Sequence, residues 1–248
     1  FCYYIIANKK KLGQLKPNDF LVKTIVSTEM ITKMAAANKV MMFDEFTGFK
    51  WIANRIRMHE GELNYIGGGE ESFGFLPYDK VRDKDSPASI CLICEIAAWA
   101  KENGMTLYEL LMNIYKEYGF QKETTINVVR PGKSGAEEIQ QLMKDFRANA
   151  PKELNGSKVV KVKDFKLLKE VENGVEKPIE MALGASSNVL QWFTESGLKV
   201  SVRPSGTEPK IKFYLEIPVA GFGGAKDYDA FNAKADAIAA QLKKDLNL

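Results

Sequence analysis

Apolar residues crowd into positions 20–26 (Phe20, Leu21, Val22, Ile25, Val26), a block short and branched enough to read as a buried strand. Residues 27–38 follow as a helix, with Ser27 or Thr28 able to cap its first free N–H groups. Residues 40–46 then read as a strand, 48–60 as a helix and 63–66 as another short strand. This alternation predicts a mixed, largely parallel sheet with helices on both faces. Farther on, Ser86 as N-cap and Pro87 at the first helical position open a helix to about residue 103, where Gly104 stops it. Thr106 and Glu109 have the spacing of a capping box and predict a helix to residue 118.

Past Gly119 the pattern changes. Residues 123–129 alternate as a strand, and Ser134-Gly135-Ala136-Glu137 reads as the capped start of a helix to residue 148. Strands are expected at 158–165, 188–194, 198–202 and 210–217, and a helix rich in Ala and Lys at 227–246. The charged 166–177 segment holds Asn173-Gly174 and reads as a hairpin or loop. Strands gathered between two helices predict a smaller α+β domain with an antiparallel sheet. The expected domains are therefore 1–119 and 120–248.

Composition adds limits. With 248 residues, 45% hydrophobic and 27% charged, the chain has material for one large or two modest cores. A net charge of +3 suits small anions and argues against a nucleic-acid partner, since no stripe of Lys and Arg interleaved with aromatics appears on any strand. No apolar run reaches the ~18 residues of a membrane span, so no membrane partner is expected. Residues 1–7 are too short and lack the basic start of a signal peptide. Lys9-Lys10-Lys11 reads as a solvated turn. Three cysteines, an odd number, suit a reducing, cytoplasmic setting, and Cys91 and Cys94 are expected as buried thiols in the apolar helix 90–100. The single His, His59, reads as a surface residue late in a helix, and Trp51, Trp99 and Trp192 as core.

Two loops carry the candidate chemistry. In Arg203-Pro204-Ser205-Gly206-Thr207-Glu208-Pro209-Lys210, two prolines and a glycine force a tight turn between strands. A guanidinium fork, two hydroxyls and approachable backbone N–H groups there are the groups that hold a phosphate. In Gly67-Gly68-Gly69-Glu70-Glu71-Ser72-Phe73-Gly74, three glycines make a poor strand, so Glu70 and Ser72 are expected on a flexible loop at a strand end. A carboxylate and a hydroxyl two residues apart suit vicinal sugar hydroxyls.

Together GEESFG, Thr47-Gly48-Phe49-Lys50-Trp51-Ile52, and RPSGTEPK behind Ser187-Asn188-Val189-Leu190 resemble the α-D-phosphohexomutases, the phosphoglucomutases and phosphomannomutases. The resemblance runs over nearly the whole chain, with the motifs in family order. It fits the third domain (1–119, sugar-binding) and the fourth (120–248, phosphate-binding, of TATA-binding-protein-like topology). It implies that Arg203, Ser205, Gly206 and Thr207 clamp the phosphate that is not transferred, and that Glu70 and Ser72 read ring hydroxyls. By the same resemblance Thr47 and Gly48 form a sugar-recognition loop, although Thr47 could instead be only the N-cap of the next helix. Arg82 and Lys84 would add positive charge near the phosphoryl groups, or be exposed ions on a polar loop.

The departures point to a fragment. The family's phosphoserine loop (Thr-Ala-Ser-His-Asn-Pro type) and its Asp-x-Asp-x-Asp-Arg loop for Mg²⁺ are both missing from these residues. Catalytic and metal-binding residues are therefore expected to be none here, with Mg²⁺ held by the missing N-terminal domains of the same polypeptide. The chain opens at Phe1, and its apolar first seven residues read as if cut from an element. The complete enzyme would move a phosphoryl group between C1 and C6 of a hexose phosphate through glucose 1,6-bisphosphate. This half alone would bind without catalysing. The alternative is a stand-alone sugar-phosphate-binding module.

Overall fold

A computed structural model of the chain describes residues 1–206 and 208–248, and of Lys133 the backbone alone. The chain divides into two compact units, Phe1–Gly119 with Gly223–Ala225, and Phe120–Phe222 with Lys226–Leu248.

The first unit begins with helix α1 (Cys2–Lys11), followed by β1 (Asp19–Thr24), α2 (Glu29–Ala37), β2 (Met41–Glu45), α3 (Phe49–Met58), β3 (Asn64–Glu70) and β4 (Gly74–Leu76). Helices α4 (Ser86–Glu102) and α5 (Leu107–Tyr118) complete it. The sheet order is β2-β1-β3-β4; β1 runs parallel to both neighbours and the short β4 antiparallel to β3. The central strand β1 is buried at every position. Its alternation splits the core in two. Leu21 packs with Cys2, Ile6, Met30, Met34 and Ile66 under α1 and α2, whereas Phe20 and Val22 pack with Phe49, Ile52, Ile56 and Tyr65 under α3. Helices thus cover both faces, as the alternation of elements predicts.

Several local expectations change. Lys9-Lys10-Lys11 is the last turn of α1 rather than a solvated turn, and cations there favourably meet the negative end of the helix dipole. Asp85, not Ser86, caps α4, its side chain accepting from the Ala88 N–H. Gly48 is the N-cap of α3, with no side-chain cap bond, so Thr47 is not the cap. His59 folds back over the sheet and stacks on Phe43 with ring centres 4.9 Å apart, so it is half-buried rather than a surface residue. Cys91 and Cys94 are exposed, because α4 turns only Ile96 and Ala100 fully inward and leaves Ile90 and Ile93 outside as well. Trp192 is wholly buried, but Trp51 and Trp99 are only partly so. The Thr106–Glu109 capping box forms as expected.

The second unit holds β5 (Phe120–Val129), α6 (Gly132–Ala148), β6 (Glu153–Leu154), β7 (Ser157–Asp164), β8 (Lys169–Glu172) and β9 (Val175–Pro178). Strands β10 (Leu190–Thr194), β11 (Lys199–Pro204) and β12 (Lys210–Val219) and helix α7 (Tyr228–Asp245) follow. The antiparallel sheet has the order β5-β12-β11-β10-β7-β8-β9, with β6 paired to β7. One face is apolar: Leu190, Trp192, Val200, Val202, Ile211, Phe213, Leu215 and Ile217 are all buried. Helix α6 packs on β11 and β12, and α7 on β5 and β12. Phe146 of α6 sits edge-on to Trp192 and Phe213. The Asn173-Gly174 turn joins β8 to β9, both residues having the positive φ a tight two-residue hairpin needs. α6 starts at Gly132 behind Pro131, so Ser134 lies inside its first turn and does not cap it.

Candidate functional site

The first cluster of predicted residues lies at the carboxyl ends of the parallel strands, where open α/β sheets bind ligands. Its geometry begins with the glycines. Gly67, Gly68 and Gly69 belong to β3, and Glu70 is that strand's last residue, paired with Gly74 of β4. The expected flexible loop is therefore a strand running into a tight hairpin. The reason is close approach. A Cβ on Gly68 would stand 2.2 Å from the Val22 carbonyl oxygen, and one on Gly69 2.3 Å from that of Gly74. Gly68 and Gly69 let β3 press against both neighbours, which outweighs their entropic cost.

Glu70 is held from the α3 side. Its Oε2 accepts from the backbone N–H of Gly48 at 3.2 Å, so the carboxylate lies at the positive end of α3 and fills one of that helix's free donors. Two of the predicted sugar-reading segments, Gly48 with Thr47 and Glu70 with Ser72, are thus tied together by a hydrogen bond. Ser72 is exposed in the hairpin and donates to Glu71 Oε1 at 3.3 Å. Glu71 is the residue that sequence reasoning passed over. Its other oxygen, Oε2, accepts from Thr24 Oγ1 at 2.8 Å.

Arg82 and Lys84 are not gathered with these groups by any described hydrogen bond or ion pair. Arg82 pairs with Glu60 at 2.9 Å, and Lys84 with Asp83 at 3.1 Å; both cations are well exposed.

Beneath the cluster the strand ends carry buried charge. Lys23 is fully enclosed and meets Asp44 at 2.8 Å and Glu29 at 3.1 Å. Burial works against its charge, but the two carboxylates prevail and hold its pKa up at about 12. Arg55 of α3 meets the buried Glu45 of β2 at 2.6 Å and lies over the Phe43 ring.

The second cluster is the turn between β11 and β12. Ser205 N–H donates to the Lys210 carbonyl (2.7 Å), Lys210 N–H to that of Glu208 (2.7 Å), and the Glu208 N–H to Ser205 Oγ (3.3 Å). The Arg130 N–H ties the turn to the end of β5 through the Pro209 carbonyl. Lys210 pairs with Glu208 at 2.7 Å and, by that hydrogen bond, lowers the Glu208 pKa. Gly206 is exposed, and a Cβ built on it would meet nothing within 4 Å. Thr207, the fourth predicted phosphate ligand, lies outside the described residues.

Arg203 is the last but one residue of β11 and directly faces Lys212 across the ladder, with Asn127 of β5 next in the row. Residues opposite one another share a face, so Arg203 and Lys212 are neighbouring cations. Among the described residues no hydrogen bond or ion pair to a carboxylate engages Arg203. An arginine beside a lysine can receive an oxyanion, and the turn alongside presents the Gly206 backbone to open space.

Mg²⁺ does not fit these residues: among those described, no group of three His, Cys, Asp or Glu side chains is placed to hold a metal ion. None of the described helices is long and apolar enough to cross a membrane.

Residues 1–118 match the family model for the phosphoglucomutase/phosphomannomutase alpha/beta/alpha domain III, and residues 126–220 that for the C-terminal domain of the same enzymes. Among curated proteins, a phosphoglucomutase of Staphylococcus aureus strain N315 is 36% identical over 202 residues, 82% of this chain and 36% of its own length. One of Staphylococcus haemolyticus is 34% identical over 204 residues, with the same two coverages. The chain therefore spans little more than a third of these relatives. Among solved structures, the Paramecium phosphoprotein parafusin, a phosphoglucomutase in its open form, aligns with 97% of this chain and 41% of its own at a TM-score of 0.59 and 18% identity. A phosphoglucomutase/phosphomannomutase family protein of Burkholderia thailandensis aligns with 99% of this chain and 40% of its own, at a TM-score of 0.56 and 12% identity. At such identities these two likenesses speak to the fold.

Proposed function

Because the chain belongs to the phosphoglucomutase/phosphomannomutase family, as its third and fourth domains, we propose that it is the substrate-holding half of a phosphohexomutase acting on glucose phosphates. Residues 1–119 read the sugar and residues 120–248 hold the phosphate. Arg203 forms a forked, charge-assisted pair with the phosphate that stays on the sugar, while Ser205, Gly206 and Thr207 supply hydroxyl and N–H donors around it. Glu70 and Ser72 engage ring hydroxyls, with Thr47 and Gly48 lending backbone groups beside them. Arg82 and Lys84 add positive potential from the neighbouring loop.

In the complete enzyme the phosphoryl group would pass from a serine outside this chain, giving glucose 1,6-bisphosphate, and return from the other end of the sugar. Mg²⁺, held outside these residues, would supply charge neutralisation at the transferring group. This half contributes position and orientation, which dominate phosphoryl transfer. A holder for either phosphate and a reader of hydroxyls that look alike in both orientations are what such a reaction requires. A reducing, cytoplasmic setting agrees with three free cysteines.

The observation that carries this reading is Arg203 itself, a strand-borne cation beside Lys212 with no described carboxylate partner, next to an open turn. Calorimetric titration of the chain with glucose 6-phosphate tests it. Arg203→Ala is expected to weaken binding by about 10- to 100-fold, since a charge-assisted pair contributes about 1.5–3 kcal/mol. Unchanged affinity would refute the clamp. The chain alone is expected to show no mutase turnover.

A further inference from the structure

Glu71 lies between the two residues to which sugar contacts are assigned, and its carboxylate is engaged at both oxygens. Oε2 accepts from Thr24 Oγ1 (2.8 Å) and Oε1 from Ser72 Oγ (3.3 Å). Thr24 is fully buried at the end of the central strand, and its hydroxyl also lies 2.9 Å from that of buried Ser27. Because Thr24 gives its proton to Glu71, the Ser27 hydroxyl must be the donor in that second bond. The protons therefore run in one direction, from Ser27 to Thr24 to Glu71, and Ser72 delivers its own proton to the same carboxylate from the other side.

This order has a consequence for what the hairpin offers a ligand. A hydroxyl has one proton and two lone pairs. With its proton turned to Glu71, Ser72 presents lone pairs only. An ionised Glu70 is likewise acceptor-only: one oxygen takes the Gly48 N–H, and the other has room because residue 74 is glycine, where a Cβ would fall 3.0 Å from Glu70 Oε1.

We propose that Glu71 is the positioning residue of this hairpin. Its carboxylate, anchored by Thr24, turns the Ser72 proton inward, so that Glu70 and Ser72 select a ligand with two neighbouring hydroxyls free to donate. The proposal rests on the assignment of Glu70 and Ser72 to the sugar and specifies which hydrogen-bond pattern that sugar must carry. A site built from acceptors rejects a ligand whose hydroxyl protons are removed, because its lone pairs are then left unpaired.

The test compares titrations of the full chain with glucose 6-phosphate and with inorganic phosphate; the ratio of the two affinities isolates the sugar's contribution. Glu71→Gln and Thr24→Val are each expected to lower that ratio by about 5- to 10-fold, with phosphate affinity unchanged, while Thr24→Ser keeps it. Glu71→Gln is expected to add nothing to the loss caused by Ser72→Ala, the signature of two residues acting as one unit. A measurement needing no variant stands beside these: glucose 6-phosphate with its ring hydroxyls methylated should bind the wild-type chain no better than inorganic phosphate. If Glu70→Ala lowers the ratio but Glu71→Gln does not, or if the Glu71 and Ser72 losses add in full, the positioning role is overturned and the sugar assignment stands. If Glu70→Ala also leaves the ratio unchanged, the sugar assignment fails and the positioning role with it.

Discussion

Gly68 and Gly206 each sit in a glycine-bearing motif, and their surroundings are opposite. Gly68 lies in a strand whose neighbour's carbonyl oxygen would be 2.2 Å from any added Cβ. Gly206 faces open space. Gly68→Ala should therefore lower the stability of the chain by about 3 kcal/mol in urea unfolding, as overpacking against backbone does. Gly206→Ala should change stability by less than about 0.5 kcal/mol, and weaken phosphate binding only if the anion approaches that backbone closely. Equal stability losses at the two positions would contradict this. At this scale the donors, acceptors and charge that Arg203, Ser205, Glu70 and Ser72 carry are legible, because they are properties of residue type. The hydrogen bond that holds Glu71 is not, since its partner Thr24 is 47 positions away and nothing in the local pattern connects them.

Among elements, periodicity located what depends on alternation and missed what depends on approach. Strands β1, β7, β10, β11 and β12 and helices α2, α5 and α7 fall where their patterns place them, because each has a clear apolar run or face. Strand β3 was cut short at Ile66, since side-chain pattern carries no information about backbone brought within van der Waals distance of backbone. Caps were read well where both partners are local and unambiguous, as in Thr106 with Glu109. They were misread where two cap formers stand side by side, as in Asp85-Ser86. The observed bond from the Ala88 N–H decides for Asp85. Asp85→Ala should accordingly cost about 1 kcal/mol, whereas Ser86→Ala should be nearly neutral, both read from denaturant midpoints. The reverse order would return the cap to Ser86.

At the scale of the whole molecule, pH dependence follows from the first unit's buried and half-buried groups. Lys23 titrates at about 12 in place of its ordinary 10.5, because Asp44 and Glu29 outweigh its burial. Burial, with help from Glu95, raises Tyr4 to about 12, and burial with Glu117 does the same for Tyr118; the ordinary value is 10.0. In each case the folded state keeps a proton that the unfolded chain has already lost. Stability should therefore hold up to about pH 10 and fall as pH rises from 10 to 12. Thermal unfolding followed by circular dichroism at pH 9 and pH 11.5 measures the fall, and Asp44→Asn should make it shallower. A melting temperature independent of pH across that window would show these groups to be unperturbed.

The proposed function gives Glu70 and Ser72 to the sugar and Arg203, Ser205 and Gly206 to the phosphate. Its most direct measurement is a titration of the ¹⁵N-labelled chain with glucose 6-phosphate, following the backbone amides of residues 70–74 and 205–206. Both sets are expected to shift with glucose 6-phosphate, and the second set alone with inorganic phosphate. Shifts confined to one set with glucose 6-phosphate, or movement of residues 70–74 with inorganic phosphate, would contradict that assignment.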